Sequence, residues 1–277
     1  MLSGGTALFA PYQNRPPKPN DLILCFQQNQ ILLSKTENAD PPTVAVLAEV
    51  LPGANQLLPL FSLPHCNAYA FDTKTPLPIP SESNLEYIAI DIFRQLANPQ
   101  NALMLISAWH LMVWHRRHRF CGACGTPLVC SDTERALCCP NCTQIFYPTI
   151  SPAVSVAISD GDRLILARNV RSTFPHFSLV AGYVEVGETL EETVKREVME
   201  EVGLKVKNIR YIASQAWGLS QSQMVGFHAE LDGSDQITLQ ESELSEARWF
   251  HRGELPVRPN SLSLSFEMIE RFRLGTL

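Results

Sequence analysis

The spacing of apolar residues changes along this chain, and with it the kind of structure to expect. Up to about residue 117 the short runs LILCF, ILLS and VAVLAEV read as strands, since aliphatic and β-branched residues bounded by polar ones suit a pleated, half-buried surface. Residues 84–96 and 101–115 read as two helices, with Asn98-Pro-Gln-Asn101 as the break between them. The most apolar stretch, residues 102–114, is interrupted by His110 and followed by His115-Arg-Arg-His118. It falls short of the roughly 20 apolar residues a membrane span requires, so a buried helix is expected.

From residue 150 a different pattern sets in. VSVAI and RLILA flank Ser159-Asp-Gly-Asp162 as two strands flank a hairpin turn. FSLVAGYVEV reads as a further strand, residues 188–202 as a helix ended by Gly203, residues 209–214, 224–231 and 247–250 as strands, and residues 263–274 as a closing helix. Strands interleaved with helices predict an α/β domain. Residues 120–148, in between, are rich in cysteine and poor in apolar side chains, so a metal or a partner must hold them. The expected organisation is an α+β domain of unknown role over residues 1–117, a cysteine module over 118–149 and an α/β domain over 150–277.

Composition narrows the class. With 45% hydrophobic and 18% charged residues among 277, and a mean hydropathy of −0.02, the chain is expected to fold without long disorder and without entering a membrane. A net charge of −6 gives no general attraction to nucleic acid, Arg116, Arg117, His118 and Arg119 being a local exception. The opening MLSGGTALFAPYQNRPPKPN lacks a positive stretch followed by an apolar core, so a reducing, cytoplasmic setting is expected.

Six of the eight cysteines fall between Cys121 and Cys142, and in a reducing setting such clustering favours metal over disulfides. Cys121-Gly-Ala-Cys124 and Cys139-Pro-Asn-Cys142 form two C-x-x-C knuckles, fourteen residues apart. Two thiolate pairs can converge on one tetrahedral ion, and Zn²⁺ suits four sulfurs with no open position, which makes the site structural. Cys138 leaves the register ambiguous; Cys139 restores the C-x-x-C pair. A redox pair or metal-free structural cysteines are the competing readings. Cys25, Cys66, Cys130 and Cys138 are expected to be small buried hydrophobes, and His110, His115 and His118 to be packed or on a helix surface rather than spare ligands.

The chemistry concentrates in GYVEVGETLEETVKREVMEEVGL. At about 100° per residue, Leu190, Val194, Val198 and Val202 make one apolar stripe, and Glu197 and Glu201 fall inside that arc with Glu200 at its edge. Glu191 and Glu192 suit a solvated face. Glu197 and Glu201 do not, because like charges four residues apart repel and half-buried carboxylates are costly unless a cation compensates. Mg²⁺ or Mn²⁺ would compensate and would bridge to phosphate. Arg196, four residues from both Glu192 and Glu200, is placed to hold carboxylates. Gly182 and Gly187 are expected to allow the tight entry to the helix.

The same segment resembles the Nudix box, G-x5-E-x7-R-E-U-x-E-E-x-G-U with U aliphatic, matched by Gly182, Glu188, Arg196, Glu197, Val198, Glu200, Glu201, Gly203 and Leu204. The resemblance implies an α/β/α sandwich that hydrolyses a nucleoside diphosphate linked to another group. It implies Glu197 and Glu201 as ligands of the catalytic ion, Glu200 as a ligand or as the base that activates water, Arg196 and Glu188 as orienting residues, and the backbone carbonyl of Ala181 as a further ligand.

A four-cysteine ribbon directly before such a domain is similar to the NADH pyrophosphatase subfamily, also described as NAD-capped RNA hydrolases. That group carries SQPWPFPxS after the box. Here Ser214, Gln215, Trp217 and Ser222 match, while Ala216, Gly218, Leu219 and Ser220 replace the three prolines and the phenylalanine. Trp217 is then expected to offer an aromatic surface and Gln215 and Ser222 hydrogen bonds, on a loop left looser by the missing prolines. The resemblance further implies Tyr183 as a ring for base stacking, Glu243 (with Glu246 the nearby alternative) as an additional metal ligand, and Tyr147, in Phe146-Tyr-Pro148, as a contact across a homodimer. Tyr147 and Trp249 are alternatively core aromatics. The expected activity is hydrolysis of NAD(H) to NMN(H) and AMP, and removal of an NAD cap from RNA. Hydrolysis of ADP-ribose or another nucleoside diphosphate is the alternative, and a ribbon that binds RNA or protein with vestigial hydrolysis is the alternative of another class.

Overall fold

The computed structural model describes residues 12, 14–51, 53, 56–80, 82–96, 98–170, 176–256 and 262–277. Most of the stretch read for a targeting signal lies outside them. Among the described residues no helix is long and apolar enough to cross a membrane. The chain divides into two compact units, one of Leu2–Thr149 with Gly218–Ser220 and one of Ile150–Trp217 with Gln221–Leu277.

In the first unit, β1 (Leu22–Gln27) and β2 (Gln30–Ser34) form a hairpin, joined by β3 (Leu58–Ser62), β4 (Asn67–Thr73) and β5 (Leu85–Ala89) in the order β3-β4-β1-β2-β5. The middle of β1 is buried, with Phe26 meeting Trp109 of α1 (Pro99–Arg117) at 5.8 Å between ring centroids. Helix α1 begins where the Asn98 side chain accepts from the Gln100 amide and Pro99 occupies a position that needs no donor. Its buried residues include Ala102, Leu105, Ile106, Ala108, Met112 and Trp114, as expected of so apolar a stretch. His110 and His118 hydrogen-bond the carbonyls of Thr149 and Trp114, both at 2.8 Å.

Two N-terminal expectations are corrected. VAVLAEV is a series of turns, because Leu47 accepts from both the Val50 and Leu51 amides and so closes the backbone on itself; β propensity yields to these local bonds. Residues 84–96 are not one helix: residues 85–89 pair with β2 from Ser34↔Leu85 to Gln30↔Ala89, and only Ile90–Arg94 coil, as a 3-10 turn. The open edge of β2 claims this stretch. Strand β3 carries Pro59 on the outer edge of its sheet, where a missing amide costs nothing.

The cysteine module contains three short antiparallel strands, β6 (Val129–Cys130), β7 (Leu137–Cys138) and β8 (Ile145–Phe146). Its two knuckles repeat one pattern. The Gly125 amide donates to the Cys121 carbonyl at 2.8 Å and the Thr143 amide to Cys139 at 3.0 Å, both residues having positive φ. This repetition brings the Sγ atoms of Cys121, Cys124, Cys139 and Cys142 within 4.8 Å of one another, while Cys138 is spent in β7. Of the other four cysteines only Cys25 is fully buried; Cys66, in the turn between β3 and β4, and Cys130 and Cys138, in a module with little interior, are partly exposed, against expectation.

The second unit is an α/β/α sandwich. Strands β9 (Ser151–Asp160), β10 (Arg163–Asn169), β11 (Val180–Tyr183), β12 (Val206–Trp217), β13 (Ser222–Leu231) and β14 (Leu244–His251) make a mixed sheet in the order β12-β13-β9-β10-β14, with β11 also on β9. Helix α2 (Leu190–Val202) packs its Val194, Val198 and Val202 on one face, and α3 (Leu264–Arg273) packs Leu264, Met268 and Phe272 on the other. Central β9 is buried on both sides. Trp249 packs against the core at its edge: it is partly buried beside that cluster, donates to the Asp235 carbonyl at 3.0 Å and lies under the Arg163 guanidinium.

The knuckle geometry makes a direct prediction. Cys139→Ser is expected to lose bound zinc and Cys138→Ser to keep it, as read by elemental analysis of the purified chains; equal retention would mean the wrong pair has been assigned.

Candidate active site

Helix α2 starts at a reciprocal cap. The Thr189 hydroxyl accepts from the Glu192 amide at 3.2 Å while the Glu192 carboxylate accepts from the Thr189 amide at 2.8 Å. Glu192 is thereby committed to the cap and takes no part in holding Arg196. The helix ends at Gly203 with φ +70°, so it runs from Leu190, two residues later than the sequence pattern places it, to Val202.

Within this frame Glu197 and Glu201 are 8% and 4% exposed, on the face with the three valines, and the Glu200 side chain is 52% exposed. Arg196 binds the carboxylates around it. It makes a two-pronged pair with Glu188 at 2.6 and 2.9 Å, and its Nη1 donates to Glu197 at 2.8 Å and Glu200 at 3.0 Å. A further bond, Nη2 to the Tyr183 carbonyl at 2.9 Å, ties the helix to β11. Glu188 is pulled down to about 2 by Arg196 and by the Glu185 amide, so it stays ionised.

Glu201 lacks such help. Among the described residues its carboxylate has no ion-pair or hydrogen-bond partner, and burial, reinforced by the charges of Glu197, Glu243 and Glu200, pushes it up to about 8. Burial also raises Glu197, against the opposing pull of Arg196. A buried unpaired carboxylate facing three others suits a multivalent cation, which hard oxygen donors hold well. Among the described residues only the four cysteines bring ligand atoms within 4.8 Å of one another, so the glutamates form a looser set.

Gly182 has a different task from the one expected. It belongs to β11, its φ is not positive, and a Cβ there would lie 1.9 Å from the Glu197 Cδ. Glycine leaves room for the Glu197 carboxylate, which would have to shift if a side chain stood here; Gly187, with φ +96°, is the residue that supplies the turn. Ala181 is the neighbouring residue, paired with Ser155. Glu243 reaches the cluster by a route invisible in the sequence: the Thr238 and Gln240 amides bond the carbonyls of Val202 and Glu201 at 2.9 and 3.0 Å, and Glu243 then folds back on Gln240. Glu246 is instead engaged by Arg168 at 3.3 Å.

A second group lies across the end of β9. Ala153 pairs with Tyr183 on one side and with Met224 on the other, so the Tyr183 hydroxyl meets Ser222 at 3.2 Å, and Ser222 pairs with Trp217. Gln215 is buried; its Nε2 donates to the Leu262 carbonyl at 2.6 Å and its Oε1 has no partner. Strand β11 therefore touches the glutamates at Gly182 and the Ser222 group at Tyr183. Tyr147 is in the other compact unit, 57% exposed, donating to Glu134, and is no core aromatic.

The NUDIX domain family matches residues 149–272, and the NADH pyrophosphatase zinc ribbon domain matches residues 116–147. An NAD-capped RNA hydrolase NudC of Stutzerimonas stutzeri (strain A1501) is 40% identical over 210 residues, 75% of this chain and 75% of its own length. This chain belongs to the Nudix family. It is a Nudix hydrolase with a structural zinc ribbon of the NADH pyrophosphatase type. An NAD-capped RNA hydrolase NudC of Salmonella paratyphi C (strain RKS4594) is 46% identical over 160 residues, 58% of this chain and 62% of that relative. A crystal structure of a NUDIX hydrolase from Nitrosomonas europaea aligns with 57% of this chain and 91% of its own at TM-score 0.49 and 23% identity.

Gly182→Ala in this Nudix hydrolase is expected to displace the Glu197 carboxylate and cut turnover by on the order of 10²-fold with the fold retained, as read by steady-state kinetics beside circular dichroism. The buried charge also sets a pH dependence. An acid raised from its ordinary 4.5 to about 8 holds its proton better in the folded chain, so ion-free stability falls as pH rises through that window. Thermal melts in chelator should therefore place Glu201→Gln above the native chain at about pH 9 and level with it near pH 4; a constant offset would remove the buried-charge account.

Proposed function

We propose that this Nudix hydrolase cleaves the pyrophosphate of NAD(H) to NMN(H) and AMP, and removes the NAD cap from RNA to leave a 5′-monophosphate. The observation that carries the proposal is the buried, unpaired Glu201 beside Glu197, joined through β11 to an aromatic and hydroxyl group at Tyr183 and Ser222. The relatives from Stutzerimonas and Salmonella, NAD-capped RNA hydrolases, support the substrate class.

In this reading Glu197, Glu201, Glu200, Glu243 and the Ala181 carbonyl hold Mg²⁺ or Mn²⁺. When bound, the ion supplies Lewis acidity and offsets the charge that builds on the anhydride oxygens. Glu200, an exposed carboxylate on the same helix as Glu197 and Glu201, takes the proton of the attacking water as the new P–O bond forms and the bridging P–O bond breaks, the other phosphate leaving with the electron pair. Arg196, anchored on Glu188, keeps Glu197 and Glu200 aimed. Tyr183 and Trp217 give faces for the two bases and Ser222 holds the Tyr183 hydroxyl, while Gln215, expected to offer a hydrogen bond, is buried with its Nε2 on the Leu262 carbonyl.

The protein is further proposed to act in the cytoplasm as a homodimer. Val129 and Ile145 flank Cys138 on one face of the ribbon, both about half exposed like Tyr147, which supports an apolar contact there. The altered segment from Ser214 to Ser222 favours a second reading, hydrolysis of ADP-ribose or another nucleoside diphosphate, because the prolines of the subfamily pattern are missing.

The test is a time course of purified protein with Mg²⁺ or Mn²⁺ on NADH, NAD⁺, ADP-ribose and NAD-capped RNA, with products identified. AMP from the dinucleotides supports the first reading, and activity confined to ADP-ribose supports the second. Glu200→Gln is expected to lower kcat by on the order of 10²- to 10⁴-fold without shifting Tm, and Glu201→Gln to abolish turnover without unfolding the chain.

A further inference from the structure

The far end of β9 borders a cavity that the reaction does not use. Ser159 follows Ala153 by six residues, about 20 Å along an extended strand and so well away from the Tyr183 and Ser222 group. The cavity there measures 510 Å³, and Ser159, His228, Lys207, Arg252, Phe272 and Leu277 line it, all of them in the second unit. Two of these polar groups are buried: Ser159 is 6% and His228 9% exposed, with the Ser159 Oγ 2.8 Å from His228 Nε2. The other ring nitrogen, Nδ1, is buried too and has no hydrogen-bond partner among the described residues. A buried polar atom is costly unless something meets it.

The charges around this imidazole are unevenly matched. The acids are held: Asp160 pairs with Arg163, Glu230 accepts from the Asn208 side-chain amide at 2.8 Å, and Asp232 pairs with Lys207 at 3.2 Å. Arg252 is not matched in this way. Its Nη1 donates to the neutral Phe272 carbonyl and its guanidinium covers the Phe272 ring at 4.2 Å, and among the described residues no carboxylate pairs with it. Arg210, opposite His228 in the β12–β13 ladder, has no carboxylate partner among them either. Burial and the Arg210 charge hold His228 below its ordinary range against the weaker pull of Glu230, so the ring is neutral and the field on it is positive.

We propose that this cavity binds a small organic oxyanion, a phosphate monoester or a carboxylate, whose charged end takes the Arg252 guanidinium and the Nδ1–H of His228. The Ser159 hydroxyl then donates to Nε2, which leaves the ring proton on Nδ1, where it meets the ligand. The volume is that of a small-molecule site, and Leu231, Phe272 and Leu277 give an apolar wall for the carbon part of such a ligand. None of these residues belongs to the glutamate set or the Ser222 group, so the proposal stands apart from the reading of the reaction.

Side-chain ¹⁵N NMR of the histidines in the native chain reads the ring directly, the His228 signal being assigned by its loss in His228→Gln. Inorganic phosphate, ribose 5-phosphate and succinate are titrated separately at constant ionic strength, without added divalent ions. The expected result is a saturable shift of His228 with at least one of the three, at a Kd below about 1 mM, with the proton on Nδ1 at saturation. The phosphate and succinate arms separate the two kinds of oxyanion. Calorimetry on the native chain gives the same affinity without the assignment variant; Arg252→Gln is expected to weaken it at least about tenfold, and Glu201→Gln to leave it within about twofold. No saturable shift of His228 with any of the three up to about 10 mM, full affinity in Arg252→Gln, or a proton on Nε2 at saturation would each overturn the proposal.

Discussion

Everything in the second unit is arranged around two carboxylates that the fold takes out of water. Glu197 and Glu201 share one face of α2 with Val194, Val198 and Val202, so the contact that buries the valines on the sheet buries the acids too. Desolvated anions are destabilising by themselves, and Arg196 relieves only Glu197. What remains at Glu201 is a local instability that a cation bridging to phosphate would remove. Burial and the neighbouring carboxylates make Glu201 hold its proton more readily than a free carboxyl, and in the proposed function a bound cation would take that proton's place.

The neighbouring structure protects that arrangement. A capping box fixes where α2 begins and a left-handed glycine fixes where it ends, so the register of the glutamates on the helix cannot drift. Gly182 clears the space into which Glu197 projects, and the bond from Arg196 to the Tyr183 carbonyl ties the helix to the same strand. Strand β11 meets the glutamates at one residue and the Ser222 group at the next, so under the proposed function one short strand joins chemistry to recognition.

The ribbon works on the other principle available to a small module. With few apolar residues to bury, it relies on four sulfurs brought together by two knuckles of the same backbone pattern.

The sequence alone determined what depends on spacing along the chain. The period of the valines and glutamates, the C-x-x-C pairs and the Ser-Asp-Gly-Asp turn each act over a few residues, and the helix, the zinc set and the β9–β10 hairpin follow from them. Only tertiary structure decided features that depend on a partner distant in the chain. Residues 85–89 became a strand because the β2 edge was open, and VAVLAEV became turns through bonds no hydropathy pattern encodes. Glu243 entered the cluster through amides of a loop laid along α2, and Gly182 leaves room for a carboxylate that approaches from elsewhere. Periodicity records which side of an element is apolar; it does not record what comes to lie against it.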